Sequence, residues 1–273
     1  MTINIKGELI DLRQPKIMGI LNLTPDSFYD GGKFNVLDSA IAQTEKMILE
    51  GAYFIDLGAC STKPGAEEIS AQEEKKRLYP ILEKLIKTFP KQYFSIDTYR
   101  SDVAEGCLKR GAAMINDISG GQLDSKMMET VGKYHAPYVL MHILGTPKTM
   151  QKKPQYKNIV QEVLYYFSEK VQQAYHNGIN DVIIDPGFGF GKTLEHNYTI
   201  MNHLELFHSL ELPILVGISR KSMIYKKLDI TPDEALNGTS VLNTIALSKG
   251  ANILRVHDVK QAKECADLLQ ALQ

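Results

Sequence analysis

The most regular feature of the sequence is a repeated pattern in which a helical stretch is followed by glycine and then by a short apolar run. Examples are Gly51 before the run at 53–57 and Gly178 before the run at 182–185. A glycine just past a helix end supplies the left-handed backbone that closes the helix. A continuous apolar run is typical of a strand buried on both faces. The pattern therefore predicts strands that alternate with helices.

Together with similar apolar runs elsewhere in the chain, eight strands are predicted, and a helical segment follows each of them. They span residues 16–21, 53–57, 93–96, 114–116, 138–141, 182–185, 214–217 and 253–256. Strictly alternating strands and helices imply a parallel sheet, and eight units predict closure into a (β/α)8 barrel. The expected fold class is thus α/β, as a single TIM-barrel domain over residues 1–273.

Two local features modify this picture. Residues 1–15 precede the first barrel strand, and the apolar segment 3–12 with Gly7 inside it predicts an N-terminal β-hairpin over the bottom of the barrel. Pro80 lies inside the second predicted helix. Because proline removes a helical hydrogen bond, we expect it to kink or divide that helix.

Composition excludes several classes of protein. Lys and Arg number 31 and Asp and Glu 32, for a formal net charge of −1. Proteins that coat nucleic acid or anionic lipid need a basic field, so we expect neither partner. The three cysteines form no CxxC pair, which argues against disulfides or structural zinc. With no signal peptide and no membrane-length apolar run, a cytoplasmic location is expected.

Polar residues lie at the ends of most predicted strands, where a barrel enzyme carries its active site. Any one of them is more often a helix cap, but together they favour a functional site. They are Asn22, Asp56, Asp97, Asn116, His142, Asp185, Ser219-Arg220-Lys221, Arg255 and His257.

Three loops add to this set. Loops 22–32 and 61–65 are rich in hydroxyl and turn residues, which fits loops that close over a ligand and equally fits ordinary turns. Segment 185–193 alternates glycine with Phe188 and Phe190 and lacks the GxxxxGK spacing of a phosphate loop. It suggests a flat ligand wall or a hinge.

Eight segments, in order and spanning about residues 17–257, resemble the motifs of the dihydropteroate synthase family. They are IMGILNLTPDSF at 17–28, DLGACSTKPG at 56–65, SIDT at 95–98, IND at 115–117, MH at 141–142, DPGFGFGK at 185–192, GISRKS at 217–222 and RVH at 255–257. The resemblance implies a transferase of folate synthesis, an enzyme that joins 6-hydroxymethyl-7,8-dihydropterin diphosphate to p-aminobenzoate. It also implies dissociative substitution, Mg²⁺ dependence, a homodimer and a target of sulfonamides.

The resemblance also implies roles for individual residues. A carboxylate can accept the paired hydrogen bonds of a pterin's amidine-like edge. The implied pterin pocket consists of Asp97, Asn116, Asp185, Lys221, Met141, Phe190, Gly217 and Arg255, with Arg255 stacked on the ring and Met141 and Phe190 as apolar walls. The implied diphosphate subsite consists of Asn22, Thr62, Lys63, Arg255 and His257, with Asn22 as a Mg²⁺ ligand. The implied p-aminobenzoate pocket consists of Phe28, Thr62, Pro64, Phe190, Lys221 and Ser222, while either Asp26 or Asp30 stabilises the cation or organises the loops.

The chain departs from the family pattern at a few positions. The family usually has arginine where this chain has Lys63. Lysine keeps the positive charge but lacks the planar guanidinium group that can bind phosphate through two hydrogen bonds. Cys60 and Tyr29 are further local variations.

Three other functions compete with the synthase. A related pterin-binding methyltransferase, which moves a methyl group from methyltetrahydrofolate to a corrinoid, would not need the runs at 61–65 and 219–222. A catalytically silent pterin binder is disfavoured because every predicted type of substrate contact is present. An aldolase barrel would need a Schiff-base lysine, for which Lys221 is the strand-end candidate.

Overall fold

The fold is described from a computed structural model, which covers residues 1–23, 36–60, 69–146, 149–150 and 154–272. Within these residues strands alternate with helices, as predicted. The strands are β1 (Thr2–Ile5), β2 (Glu8–Asp11), β3 (Lys16–Asn22), β4 (Phe54–Gly58), β5 (Tyr93–Asp97), β6 (Met114–Asp117), β7 (Tyr138–Met141), β8 (Val182–Asp185), β9 (Leu215–Val216) and β10 (Ile253–Val256).

At least one helix follows each barrel strand. The helices are α1 (Val36–Leu49), α2 (Ala71–Thr88), α3 (Ser101–Lys109), α4 (Met127–Lys133), α5 (Ile159–His176), α6 (Leu194–Asn202), α7 (Ser222–Leu228), α8 (Leu236–Ser248) and α9 (Val259–Gln270), with 3-10 helices at Leu204–Leu210 and Asp233–Ala235. In the parts of the chain that are described, no helix combines the length and the apolar character needed to cross a membrane.

The barrel strands β3 to β10 form one parallel sheet in the order β8-β7-β6-β5-β4-β3-β10-β9. A parallel bridge between Ile184 in β8 and Ile214, next to β9, joins the two edge strands. This bridge closes the sheet, so the predicted (β/α)8 barrel is confirmed.

The first two strands cover the bottom of the barrel, as predicted. β1 and β2 pair antiparallel, with Ile3 opposite Ile10. Their apolar side chains pack into a buried cluster with residues from the N-terminal halves of the barrel strands. That cluster contains Ile3, Ile5, Ile10, Leu12, Met18, Phe54, Ala113, Met114, Val139, Ile183, Leu215 and Ile253. Because this apolar cluster fills the N-terminal end of the barrel, we expect the active site at the C-terminal end.

Helix starts follow local signals in the sequence. Ser70 caps α2 by accepting a hydrogen bond from the Glu73 amide, and Asn158 caps α5 by accepting one from the Gln161 amide. We expected Pro80 to kink or divide the second helix, and division is wrong, because α2 runs without interruption from Ala71 to Thr88; a kink stays a prediction. Buried Leu78, Ile81, Leu82 and Leu85 hold this helix against the core, so packing outweighs the lost hydrogen bond.

Candidate active site

Strand register brings the predicted residues together at the C-terminal end of the barrel. Asn22 is level with Gly58, Gly58 with Asp97, and Asp97 with Asn116. Because side chains alternate between the two faces of a strand, those two residues apart point to the same side. Asp97 and Asn116 therefore share the interior with Asp56, which lies two residues before Gly58.

Arg255 is the centre of a buried polar network inside the barrel. Its Nε donates to Oδ2 of Asp56 and its Nη2 to Oδ2 of Asp97, each over 2.7 Å. Asn116 Nδ2 donates to the same Asp56 oxygen over 2.9 Å. Asp56 is completely buried, whereas the Arg255 side chain stays 19% exposed. The guanidinium is thus held by two carboxylates, while part of the Arg255 side chain stays accessible.

Asp56 had no role in the sequence-based site. The sequence analysis grouped it with the polar residues of the strand ends, and the resemblance implied no contact for it. The structure makes it the common anchor of two predicted pterin residues, Arg255 and Asn116. The sequence does contain a signal for Asp56. It is a charged residue in the middle of an otherwise apolar strand, two positions before a strand-end glycine.

A second group of contacts surrounds Asp185 and Lys221. Asp185 is 5% exposed and accepts a hydrogen bond from the Gly187 amide over 2.7 Å. Lys221 Nζ donates to the Phe188 carbonyl over 2.6 Å and lies 4.7 Å from the centre of the Phe190 ring. The segment after β8 thus positions both the carboxylate and the ammonium group.

Burial and neighbouring charges shift the pKa values of these groups. Burial raises the pKa of Asp97 to about 7, opposed by the positive charge of Arg255. Burial also raises the pKa of Asp185, against the pull of Lys221 and Arg255, and lowers the pKa of Lys221 to about 8. Burial alone would lower the pKa of Arg255, but the charges of Asp56 and Asp97 raise it. Clusters of shifted carboxyl and amino groups in a cleft are typical of functional sites.

The apolar residues of the implied pterin pocket also come together. Met141 and Phe190 belong to one small cluster with Ile118, Ile143 and Met150. A Cβ placed on Gly217 would lie 3.9 Å from Lys221 Nζ and 3.8 Å from Arg255 Cβ. Gly217 therefore forms part of the barrel lining between the two cations.

The implied anion and aminobenzoate subsites are placed in part. Asn22 ends β3 and is exposed, and His257 is exposed beyond β10 with its Nδ1 3.0 Å from Ser219 Oγ. Ser222 opens α7 directly after Lys221. The other residues of these subsites lie outside the described residues. They are Phe28, Thr62, Lys63 and Pro64, and the two loop aspartates, Asp26 and Asp30, lie there as well.

Comparison with known proteins agrees with this geometry. Residues 18–257 match the model of a family described as pterin binding enzyme. The dihydropteroate synthase of Escherichia coli (strain K12) is 42% identical, over 99% of this chain and 96% of the relative. A crystal structure of Yersinia pestis dihydropteroate synthase in a sulfonamide drug complex has a TM-score of 0.93 at 41% identity, covering 100% of this chain and 99% of that one. Dihydropteroate synthase from Xanthomonas albilineans in complex with 7,8-dihydropteroate has a TM-score of 0.90 at 32% identity, again covering 100% and 99%.

A closed parallel barrel with a polar network at its C-terminal end, together with the family match, defines a pterin-binding enzyme. The chain belongs to the dihydropteroate synthase family. The resemblance noted in the sequence is confirmed, and the methyltransferase alternative is not favoured. The chain is a transferase.

Proposed function

We propose that the polar network at the C-terminal end of this barrel carries out the dihydropteroate synthase reaction. The reaction joins 6-hydroxymethyl-7,8-dihydropterin diphosphate to p-aminobenzoate and releases 7,8-dihydropteroate and diphosphate. The observation that carries the proposal is the Arg255 network, in which the guanidinium donates to Asp56 and Asp97 and Asn116 donates to the same Asp56 oxygen.

The pterin ring is held by complementary hydrogen bonds and flat contacts. Asp97, Asn116 and Asp185 are buried acceptors and donors suited to the amidine-like edge of the ring. Leaving such a group unpaired in a buried site would cost about 1–3 kcal/mol. The Lys221 ammonium group donates to the hydrogen-bond acceptors of the ring, and Arg255 stacks on the face of the ring. Met141, Phe190 and Gly217 complete the pocket.

The chemistry follows from the leaving group. The bond between the pterin methylene carbon and the diphosphate oxygen breaks first, which leaves a cation conjugated with the electron-rich ring. The aniline nitrogen then forms the new carbon–nitrogen bond and loses a proton. Catalysis consists of stabilising the departing anion and orienting the incoming amine, so no strong nucleophile is needed.

The departing diphosphate is assigned to a cationic subsite. Arg255 and His257 follow one another on and after β10, and Asn22 lies at the end of the adjacent strand β3. Thr62 and Lys63 are assigned to this subsite from the resemblance. Lysine in place of the family's arginine keeps the positive charge with a single point of contact.

Mg²⁺ is the expected cofactor of this step. The described residues contain no cluster of three or more His, Cys, Asp or Glu side chains that could form a protein cage for a metal. Mg²⁺ commonly binds through one or two protein oxygens, waters and substrate phosphates, and the exposed carboxamide of Asn22 fits that mode. A bound Mg²⁺ would offset negative charge on the diphosphate.

p-Aminobenzoate is assigned to the space between Phe190 and the start of α7. The Ser222 hydroxyl, next to Lys221, suits its carboxylate, and the Phe190 ring offers an apolar face for its aromatic ring. Phe28, Thr62 and Pro64 are assigned to the same pocket from the resemblance. Asp26 or Asp30 is assigned to the cation or to the loops on the same basis.

We also propose that the protein is a homodimer in the cytoplasm. α8 exposes Val241 (51%) and Ile245 (37%), one turn apart, as a dimer surface would. Light scattering after gel filtration tests this proposal, and a monomer at micromolar concentration would contradict it.

The decisive experiment measures diphosphate release by the purified protein supplied with the pterin diphosphate and Mg²⁺, with and without p-aminobenzoate. Release that depends on p-aminobenzoate and yields dihydropteroate supports the proposal. Pterin binding without release would point to the methyltransferase or the silent binder instead.

Asp185 gives a matched test of the pterin site. Asp185→Asn removes the charge with little change in shape, and we expect pterin affinity to fall about tenfold or more. Asp181→Asn is a suitable control, because Asp181 contacts the Asn4 amide at the other end of the barrel. Unchanged affinity in Asp185→Asn would remove this residue from the pterin site.

A further inference from the structure

The segment between β8 and α6 contains a buried lysine that the proposed reaction does not use. Lys192 is only 3% exposed. Its Nζ donates to the Gly187 carbonyl over 2.9 Å, to the Phe190 carbonyl over 3.0 Å and to His142, with Nδ1 at 2.9 Å and the carbonyl at 3.3 Å. The ammonium group thus joins two turns of its own segment to the residue that follows β7.

These contacts match the capacity of a charged amine. A lysine ammonium has three protons and accepts no hydrogen bond. The three shortest contacts use all of them, and His142 Nδ1 then acts as the acceptor of a neutral ring. Burial and the charge of Lys192 lower the pKa of His142 well below its usual value, which keeps that ring neutral. Burial lowers the pKa of Lys192 to about 7, while nearby Asp185 favours its charged form.

The segment packs against the turn after β7 too closely for a side chain. Gly187 has φ +69°, and a Cβ there would lie 2.0 Å from the His142 carbonyl oxygen. The Tyr156 hydroxyl donates to the Gly191 carbonyl over 2.8 Å from a third direction. A backbone with this geometry needs an internal donor for its inward-facing carbonyls, because buried carbonyls are costly when unpaired. Lys192 supplies that donor.

The same segment presents groups to the substrate site. The Phe188 carbonyl accepts from Lys221, the Phe190 ring lies beside Lys221 Nζ, and the Gly187 amide donates to Asp185. Two of these residues, Gly187 and Phe190, are the ones whose carbonyls Lys192 holds.

We propose that Lys192 is a positioning residue for the substrate pocket. By holding the segment between β8 and α6, Lys192 keeps the Phe190 ring and the Phe188 carbonyl against Lys221. It acts through the segment and does not touch the reacting atoms, because it is buried and its protons are all engaged. This inference rests on the proposed function, in that Phe190 and Lys221 are taken as pocket residues.

The test compares Lys192→Met with a matched control, Lys6→Met. Lys6 Nζ also donates to a backbone carbonyl, that of Gly111, at the opposite end of the barrel. We expect Lys192→Met to raise the KM for p-aminobenzoate about tenfold with a smaller change in kcat, and Lys6→Met to leave KM within about twofold. A merely structural role would lower the folded fraction, which reduces the apparent kcat and leaves KM unchanged.

A double-mutant cycle identifies the route of the effect. If Lys192 acts by positioning the Phe190 ring, then Lys192→Met should add about twofold or less to KM in a Phe190→Leu background. Full additivity of the two changes, or a wild-type KM in the folded Lys192→Met protein, would overturn the proposal. Should Lys192→Met fail to fold, Lys192→Arg keeps the charge and replaces the tetrahedral donor by a planar fork, so a raised KM is again expected and a wild-type KM overturns the proposal.

The same proteins distinguish a failure of the proposed function from a failure of the inference about Lys192. In the first case the wild type and Lys6→Met also release no diphosphate. The dissociation constant for 7,8-dihydropteroate, measured on the same proteins, then tests Lys192 directly. Weaker binding in Lys192→Met alone supports positioning, and equal binding in all three proteins refutes it.

Discussion

Removal of the Asp56 carboxylate is the most direct test of how the barrel interior is built. One oxygen of this buried group accepts from both Arg255 Nε and Asn116 Nδ2. Asp56→Ala would leave Arg255 with Asp97 as its remaining carboxylate partner among the described residues and would release the Asn116 amide. Because one partner of a buried ion pair is lost, we expect the free energy of unfolding to fall by about 3–5 kcal/mol. That is a large part of the about 5–15 kcal/mol by which proteins are stable.

Asp56→Asn makes the same test in a graded form. Asparagine keeps an oxygen that can accept from both donors and loses the negative charge. Hydrogen bonds to charged groups contribute about 1.5–3 kcal/mol and neutral ones about 0.5–1.5 kcal/mol, so the expected loss is about 1–2 kcal/mol. Pterin affinity should fall in both variants, more in alanine, because Arg255 and Asn116 lose their common anchor.

Urea unfolding followed by circular dichroism measures stability, and calorimetric titration measures pterin affinity. Asp11→Ala is the control, because Asp11 also pairs with an arginine, Arg13, on the exposed hairpin. That change should leave the unfolding midpoint and the affinity unaltered. If Asp56→Ala behaved like the control in both assays, the conclusion that Asp56 organises the pterin site would be wrong.

Three further predictions concern pH, backbone and metal. Pterin affinity should be highest between about pH 7 and 8. The raised pKa of Asp97 leaves its carboxyl group protonated below about pH 7, and the lowered pKa of Lys221 leaves its amine neutral above about pH 8. A binding profile that does not change with pH would contradict this. Gly187→Ala should lower the melting temperature more than Gly178→Ala, because both have positive φ but only Gly187 would place its Cβ against backbone, and equal melting temperatures would exclude that clash. Asn22→Ala should raise the Mg²⁺ concentration for half-maximal diphosphate release about tenfold, and an unchanged Mg²⁺ requirement would exclude Asn22 as a ligand.

Local patterns in the sequence were enough to predict the barrel. Short apolar runs predict all eight barrel strands, four of which follow a helix-ending glycine, because a parallel strand that is buried on both faces is mostly apolar. The same reasoning placed Asp97, Asn116 and Asp185 at the C-terminal ends of their strands. It did not establish that α2 continues through Pro80, because the packing of α2 on the core is not visible in a local pattern.

Hydrogen-bond partners depended on closure of the barrel. Asp56 meets Asn116 across 60 residues of sequence and Arg255 across 199, and Lys192 meets His142 across 50. No spacing rule connects such positions, because the register of the strands and the path of the chain around the barrel decide which side chains face one another. The shifted pKa values of Asp97 and Lys221 have the same origin, since burial is a property of the folded chain. Residue type and strand position can be read locally, whereas the pairing of charges in the interior exists only after the sheet has closed.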